Sequence, residues 1–117
     1  MKVLFVINDS PYGNEKAFNA FRLHSALRTA DPTAELRVFL LSDGVYCAIP
    51  QHQRPEGSYD IEAMLTDAIA GGTKVLACAT CLDHRGLWGH KLIAGVEHAT
   101  MKELSEWTLT SDRVVTF

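Results

Sequence analysis

The 117-residue sequence lacks the features that mark several large classes of protein. No apolar stretch approaches the roughly 20 residues that a membrane-spanning helix needs. The apolar run at the N-terminus is ended by Asn8 and Asp9, which is too early for a signal peptide. Three cysteines, an odd number, argue against a secreted disulfide scaffold. These absences predict a cytoplasmic protein with mostly reduced cysteines and no membrane partner.

The sequence also lacks a large excess of charge of either sign. The formal net charge is −3 and no basic run is present, so the electrostatic footprint of a nucleic-acid-binding protein is missing and no nucleic-acid partner is expected. Neither G-x-G-x-x-G nor a P-loop occurs, and no cofactor is predicted. The 47% apolar and 21% charged residues are typical of a globular protein, and the length predicts a single domain over residues 1–117.

Short apolar runs alternate with amphipathic segments along the chain. Strands are predicted over Lys2–Ile7, Glu35–Leu41, Thr73–Ala79 and Asp112–Phe117. Helices are predicted over Glu15–Ala30, Tyr59–Ala70 and Thr100–Leu109, while Lys91–Ala99 fits either a strand or a loop over a short helix. This alternation predicts an α/β fold with a mainly parallel sheet.

Several local features refine these elements. The first helix should bury a stripe of Ala20, Leu23 and Leu27, with His24 beside it in a structural role. Ser58 is a plausible N-cap of the second helix. Pro50 and Pro55, with polar residues between them, predict an exposed, mobile loop over Cys47–Gly57.

Three polar segments follow predicted strands and should meet at one edge of the sheet, because ligands bind at the carboxyl ends of parallel strands. They are "NDSPYG", "SDGVYC" and "CATCLDHRG". Asp43 and Gly44 are expected to form a turn that approaches the cysteines of the third segment. Asn8 and Tyr12 are candidates for lining the same edge, although turn geometry explains such residues equally well.

Cys78 and Cys81 stand three positions apart at this edge, and four interpretations remain open. Cys78 continues the apolar strand and fits simple packing, whereas Cys81 lies among polar residues. A Cys-x-x-Cys pair at the start of a helix can form a disulfide, but no proline follows it as in thioredoxin-like sites. Cys78, Cys81 and His84 have spacing compatible with a metal, but a second close Cys/His pair is missing, so no metal is predicted.

The fourth interpretation is a sulfur nucleophile. A thiolate between a strand end and a helix N-terminus lies near unpaired backbone N–H groups and the positive end of the helix dipole. That environment favours the anion, the reactive form of a thiol. His84 and Arg85 would add positive charge, unless they serve only as solvated surface residues. The residues alone do not decide between this interpretation and packing.

Four stretches together resemble the DsrE/DsrF-like family, which includes YchN-type and sulfur-relay Tus-type members. They are "VLFVINDSPYGNEKAFNAFRLHSAL", "VFLLSDGVYCA", "KVLACATCLDHRGL" and "EWTLTSDRVVTF". The strand followed by "DGV" and the segment from the cysteines to Arg85 and Gly86 are the most specific parts. The resemblance implies a three-layer, flavodoxin- or Rossmann-like domain with a five-stranded sheet, assembled into homotrimers or homohexamers.

The resemblance also implies a function. Relay members take sulfane sulfur as a persulfide on a cysteine eight residues before the glycine of an Arg-Gly pair, and that position here is Cys78. The expected partners are sulfur donor and acceptor proteins or small persulfides. Relay members lack a counterpart of Cys81, which would either resolve the persulfide or line the pocket. The rival expectation is a non-enzymatic homo-oligomeric module with inert cysteines that binds a small ligand or partner.

Overall fold

Strands and helices alternate in the computed structural model, which describes residues 1–117. The strands are β1 Lys2–Ile7, β2 Glu35–Leu40, β3 Lys74–Cys78, β4 Val96–Ala99 and β5 Arg113–Thr116. The helices are α1 Lys16–Ala30, α2 Ile61–Ala70, α3 Ala79–His84 and α4 Met101–Thr110, with a 3₁₀ helix over Ser42–Ala48 between β2 and α2. The segment with the ambiguous pattern, Lys91–Ala99, forms a loop followed by β4.

The five strands form one sheet in the order β4-β3-β2-β1-β5, and every neighbouring pair is parallel. In β1 and β2, every residue after the first is buried, as expected for central strands covered on both faces. The predicted α/β fold with a five-stranded sheet is therefore confirmed, and the sheet is wholly parallel.

Helices cover both faces of the sheet. Phe5 in β1 contacts the ring of His24 in α1 at a centroid distance of 5.7 Å, and α2 packs beside α1. Phe39 contacts the ring of Trp107 in α4 at 6.4 Å. Because Phe5 pairs with Val38 and neighbouring residues of a strand point to opposite faces, Phe39 lies on the face away from α1. The molecule thus has three layers: α1 with α2, the sheet, and α4.

The buried face of α1 differs from the predicted stripe. Leu23 is 36% exposed, and the buried residues are Ala17, Ala20, Phe21 and His24. The small side chains of Ala17 and Ala20 let the helix lie close to the sheet. His24 Nε2 hydrogen bonds with the Thr73 hydroxyl at 2.7 Å, and burial lowers the pKa of His24 to about 4. This histidine is therefore neutral at pH 7, as a structural role requires.

The start of α2 also differs from the prediction. The N-cap is Asp60 rather than Ser58, and its Oδ1 accepts the Ala63 N–H at 3.1 Å. Tyr59 lies outside the helix because its ring stacks on Phe18 at 3.9 Å. Contacts between distant segments, which the helical periodicity does not encode, thus set this boundary.

The last helix begins with reciprocal bonds between Thr100 and Glu103, a capping box. No helix of the protein combines the length and the apolar character that crossing a bilayer requires.

Candidate functional site

The carboxyl edge of the sheet brings together the ends of β1, β2 and β3. After β2, the chain turns sharply, and the Leu41 N–H donates to the Ile7 carbonyl oxygen at 2.9 Å. The 3₁₀ helix then passes so close to β1 that a Cβ atom on Gly44 would lie 1.9 Å from the same oxygen. Glycine at this position is therefore required by the close approach of two backbone segments.

Cys78 is the last residue of β3 and the N-cap of α3. Its Sγ accepts the backbone N–H of Cys81 at 3.4 Å, and only 3% of the residue is exposed. Burial and, second, a hydrogen bond with the Cys81 side chain raise the pKa of the Cys78 thiol. The backbone N–H groups expected at the helix N-terminus are present and act to lower the pKa of Cys78, but burial outweighs them.

Cys81 lies in the first turn of α3 and is half-buried. Its Sγ accepts the backbone N–H of Ser42 at 3.2 Å, from the residue that opens the 3₁₀ helix. Ser42 has a φ of 53°, in the left-handed region that non-glycine residues rarely adopt. The strained residue is therefore the same one whose backbone N–H donates to Cys81 Sγ.

An ion pair joins the 3₁₀ helix to the end of α3. Arg85 Nε donates to Asp43 Oδ1 at 2.9 Å, and Arg85 Nη1 donates to the Cys81 carbonyl oxygen at 3.2 Å. Together with the Ser42 bond, these contacts hold α3 against the turn after β2. The structure therefore brings five of the predicted site residues into one connected group: Asp43, Gly44, Cys78, Cys81 and Arg85.

The next two predicted residues complete the end of α3 without contacting a sulfur atom. His84 is exposed at the last position of the helix. Gly86 follows with a φ of 68°, and its N–H donates to the Asp83 carbonyl oxygen at 3.0 Å. Gly86 thus acts as a helix terminator, because glycine adopts positive φ without strain.

Asn8 and Tyr12 lie elsewhere on this edge. Asn8 bonds the Phe117 carbonyl oxygen through its backbone N–H at 2.8 Å and its side chain at 3.3 Å. The Tyr12 hydroxyl accepts the Ile61 N–H at 3.1 Å, and its ring lies 5.6 Å from that of Tyr59. Asn8 therefore secures the C-terminus, and Tyr12 supports the start of α2.

Cys47 is not part of the exposed loop that was predicted. It lies in the 3₁₀ helix with 0% exposure, and its Sγ donates a weak hydrogen bond to the Asp9 carbonyl oxygen at 3.8 Å. Burial raises the pKa of Cys47 to about 12. The prolines at 50 and 55 indicated the loop correctly, but its start lies several residues later than predicted.

The geometry bears on the disulfide-exchange and metal-binding interpretations of the cysteine pair. All three cysteines are free thiols. No peptide bond is cis, and no three His, Cys, Asp or Glu side chains converge in an arrangement that could hold a metal ion. The arrangement can support thiol chemistry. One backbone N–H group donates to the buried sulfur atom of Cys78, and another donates to the more accessible sulfur atom of Cys81.

The Ser42 backbone donor is the element of this site that sequence reasoning missed. A main-chain N–H is present at every residue except proline, so residue type gives no signal for it. The one available hint is the turn-forming "SDG" directly after an apolar strand.

Comparison with known proteins extends these observations. The model of the DsrE/DsrF-like family matches residues 1–117. Protein YchN of Escherichia coli is 43% identical over 116 residues, which cover 99% of this chain and 98% of that protein. The crystal structure of E. coli YchN superimposes with a TM-score of 0.93 and covers 100% of this chain and 99% of its own.

Two more distant proteins also match. A sulfurtransferase TusD homolog of Vibrio vulnificus is 30% identical over 132 residues, covering 100% of this chain and 98% of that protein. MTH1491 of Methanobacterium thermoautotrophicum, a protein of unknown function, has a TM-score of 0.79 at 14% identity, covering 99% of this chain and 98% of its own, and so shares the fold. With a family match over its whole length and close agreement in sequence and structure with YchN, the chain belongs to the DsrE/DsrF-like family.

Proposed function

We propose that this protein is a sulfur-relay protein that carries sulfane sulfur as a persulfide on Cys78, with Cys81 as a second reacting thiol. The observation that supports this function best is a pair of free thiols at the carboxyl edge of the sheet, each of which accepts a backbone N–H. The Ser42 N–H donates to Cys81 Sγ, and the Cys81 N–H donates to Cys78 Sγ. Membership of the family and the similarity to a TusD sulfurtransferase homolog support the same chemistry. The partners would be a sulfur donor and an acceptor, each a protein or a small persulfide or thiol.

Burial of Cys78 fits a carrier that protects its cargo. At rest, the raised pKa keeps the Cys78 thiol protonated and slow to oxidise. A persulfide adds a second sulfur about 2.05 Å from Sγ, so a partner need not reach Cys78 Sγ itself to remove the transferable atom. The Cys81 N–H, at 3.4 Å from Sγ, lies where it can stabilise negative charge on the persulfide.

Incubation with glutathione persulfide, followed by removal of the donor and mass spectrometry, tests the proposal. The protein should gain one sulfur atom, and fragmentation of the peptide from Val75 to Arg85 should place it finally on Cys78. Cys78→Ser should no longer deliver sulfur to an added thiol acceptor, whereas Cys47→Ala should deliver it normally. A wild-type protein that gains no sulfur, or undiminished delivery by Cys78→Ser, would disprove the function.

A second function is favoured by the low exposure of Cys78. In that alternative, the protein is a non-enzymatic oligomeric module with inert cysteines that binds a small ligand or partner. A groove of about 190 Å³ between α1 and α2, which includes Phe21, Arg28 and Met64, offers such a ligand a place away from the cysteines. Thiol alkylation separates the two functions, because an inert module would react slowly at both Cys78 and Cys81.

Self-association into a homotrimer or homohexamer is part of the proposal. Apolar side chains at Met101, Leu109 and Val114 are exposed in α4 and β5, with Leu109 86% exposed. We propose that these exposed apolar side chains contribute to the contacts between subunits. A monomer in analytical ultracentrifugation at working concentration would contradict this part.

A further inference from the structure

We infer that Cys81 is the thiol that first receives sulfur from the donor, and that Cys78 then takes the sulfur from Cys81. The inference rests on the proposed function and assigns an order to its two thiols. It is supported by two differences between the cysteines, in access and in the hydrogen-bond donors that reach each sulfur, and by the protonated resting state of Cys78.

Access favours Cys81 as the entry point. Cys78 lies at the end of a central strand with 3% exposure, among the core residues of the sheet. Cys81 is half-buried one turn further along, on the side of α3 that meets the turn after β2. A donor must align its sulfur–sulfur bond with the attacking sulfur atom, so the more exposed thiol is the one that a bulky donor can reach.

The surrounding donors also favour negative charge on Cys81. Its Sγ accepts the Ser42 N–H at 3.2 Å, which comes from a separate segment and does not depend on the six-residue helix. The backbone donors that act on Cys78 Sγ belong to the short helix α3 itself, with the Cys81 N–H at the longer distance of 3.4 Å. Hydrogen bonding to a charged form stabilises it, so the Ser42 N–H is placed to stabilise the negative charge that develops on Cys81 Sγ when its bond to the transferred sulfur breaks.

The resting state of Cys78 also disfavours a first attack by this thiol. Burial raises the pKa of the Cys78 thiol, which therefore keeps its proton at rest. Arg85, bound to the Cys81 carbonyl oxygen and to Asp43, holds α3 against the turn that carries the Ser42 donor.

The two steps conserve atoms and electrons. In the first step, the Cys81 thiolate attacks the terminal sulfur of the donor persulfide. A Cys81 sulfur–sulfur bond forms, the donor's sulfur–sulfur bond breaks, and the electron pair and a proton remain with the donor thiol. In the second step, Cys78 loses its proton and attacks the outer sulfur of the Cys81 persulfide. The bond to Cys81 breaks, and Cys81 recovers the electron pair and takes up the proton, so no oxidant or reductant is needed.

The direction of the second step follows from thiol chemistry. A thiol with a higher pKa gives the stronger nucleophile once it is deprotonated, and a sulfur whose anion is stabilised leaves more readily. Burial supplies the first property at Cys78, and the Ser42 N–H supplies the second at Cys81. The sulfur should therefore move inwards, from the accessible position to the protected one.

Rapid-quench mass spectrometry with glutathione persulfide tests this order. In the wild-type protein, fragment ions should place the new sulfur on Cys81 at early times and on Cys78 later. Cys81→Ser should lower the initial rate of sulfur gain by about tenfold or more, because only the occluded thiol remains. Cys78→Ser should gain sulfur on Cys81 alone, and Cys47→Ala serves as the matched control.

The outcomes are distinguishable. Early sulfur on Cys78, or a Cys81→Ser variant that gains sulfur as fast as the wild type, would overturn this inference and leave the proposed function standing. A wild-type protein that gains no sulfur would overturn both. The order of labelling in the wild type does not depend on any variant, so a folding defect in Cys81→Ser would not remove the test.

Discussion

Cys47 and Cys81 both lie at the carboxyl edge of the sheet, yet the structure gives them opposite surroundings. Cys47 is fully buried inside the 3₁₀ helix and faces a carbonyl oxygen, that of Asp9. Cys81 is half-buried outside that helix and faces an N–H group, that of Ser42. An acceptor opposes negative charge on sulfur and a donor favours it. Position at this edge therefore does not make a thiol reactive, and burial together with the neighbouring backbone group decides.

The largest expected effect concerns alkylation by iodoacetamide. With the pKa of Cys47 raised to about 12, its thiolate fraction at neutral pH should be about 1,000-fold below that of an ordinary thiol. Its alkylation should be far slower than that of the half-buried Cys81, compared in proteins that retain one cysteine each. The Cys47 rate should rise about tenfold per pH unit until the pH reaches its pKa. Comparable alkylation rates for Cys47 and Cys81 at neutral pH would contradict this prediction.

A substitution at Gly44 should make Cys47 more accessible and so reduce the difference between its surroundings and those of Cys81. Gly44→Ala places a Cβ atom 1.9 Å from the Ile7 carbonyl oxygen, so the 3₁₀ helix must shift. We expect a loss of about 3 kcal/mol of unfolding free energy, measured by urea denaturation, with faster alkylation of Cys47.

The matched control is Gly86→Ala, which meets no atom within 4 Å and is strained only by its φ of 68°. Its loss should be about 1 kcal/mol, without exposure of Cys47. Equal losses in the two variants would show that the close approach to β1 has no energetic importance.

The smallest expected effect concerns the link between Asp43 and Arg85. The Asp43 side chain is 60% exposed, so solvent screens the pair and Asp43→Asn should cost only about 0.5 kcal/mol of stability. Sulfur gain should slow modestly, because Arg85 still bonds the Cys81 carbonyl oxygen. Denaturation and the persulfide assay measure the two effects. Asp67→Asn, a surface change on α2, is the control. If Asp43→Asn gained no sulfur at all while Asp67→Asn gained it normally, Asp43 would have a role beyond positioning.

Four of the five strands could be predicted from the sequence because buried strands leave a direct record in it, whereas the three-layer arrangement came from the resemblance to the family. "KVLFVI" forms β1 without a change of boundary, since a strand buried on both faces needs a continuous apolar run. The convergence of Asp43, Cys78 and Arg85 also followed, because parallel strands end at one edge.

The errors arose where distant contacts override local preference. Asp60 caps α2 because Tyr59 is held by Phe18, and Leu23 is exposed because alanines face the sheet. Cys47 lies next to a proline-containing loop in sequence, but the 3₁₀ helix turns its side chain into the core. The Ser42 donor belongs to the main chain, and the identity of a residue does not reveal where its N–H points.

Ser42 contributes to the site through its peptide group, and this has a consequence for how the protein can diverge. Replacement of its side chain leaves the N–H in place, and only proline removes both the donor and the left-handed conformation. Selection for the sulfur contact would therefore act on backbone handedness, which glycine or asparagine can also satisfy. Position 42 should therefore accept glycine or asparagine in place of serine, but not proline, while the hydrogen bond itself persists.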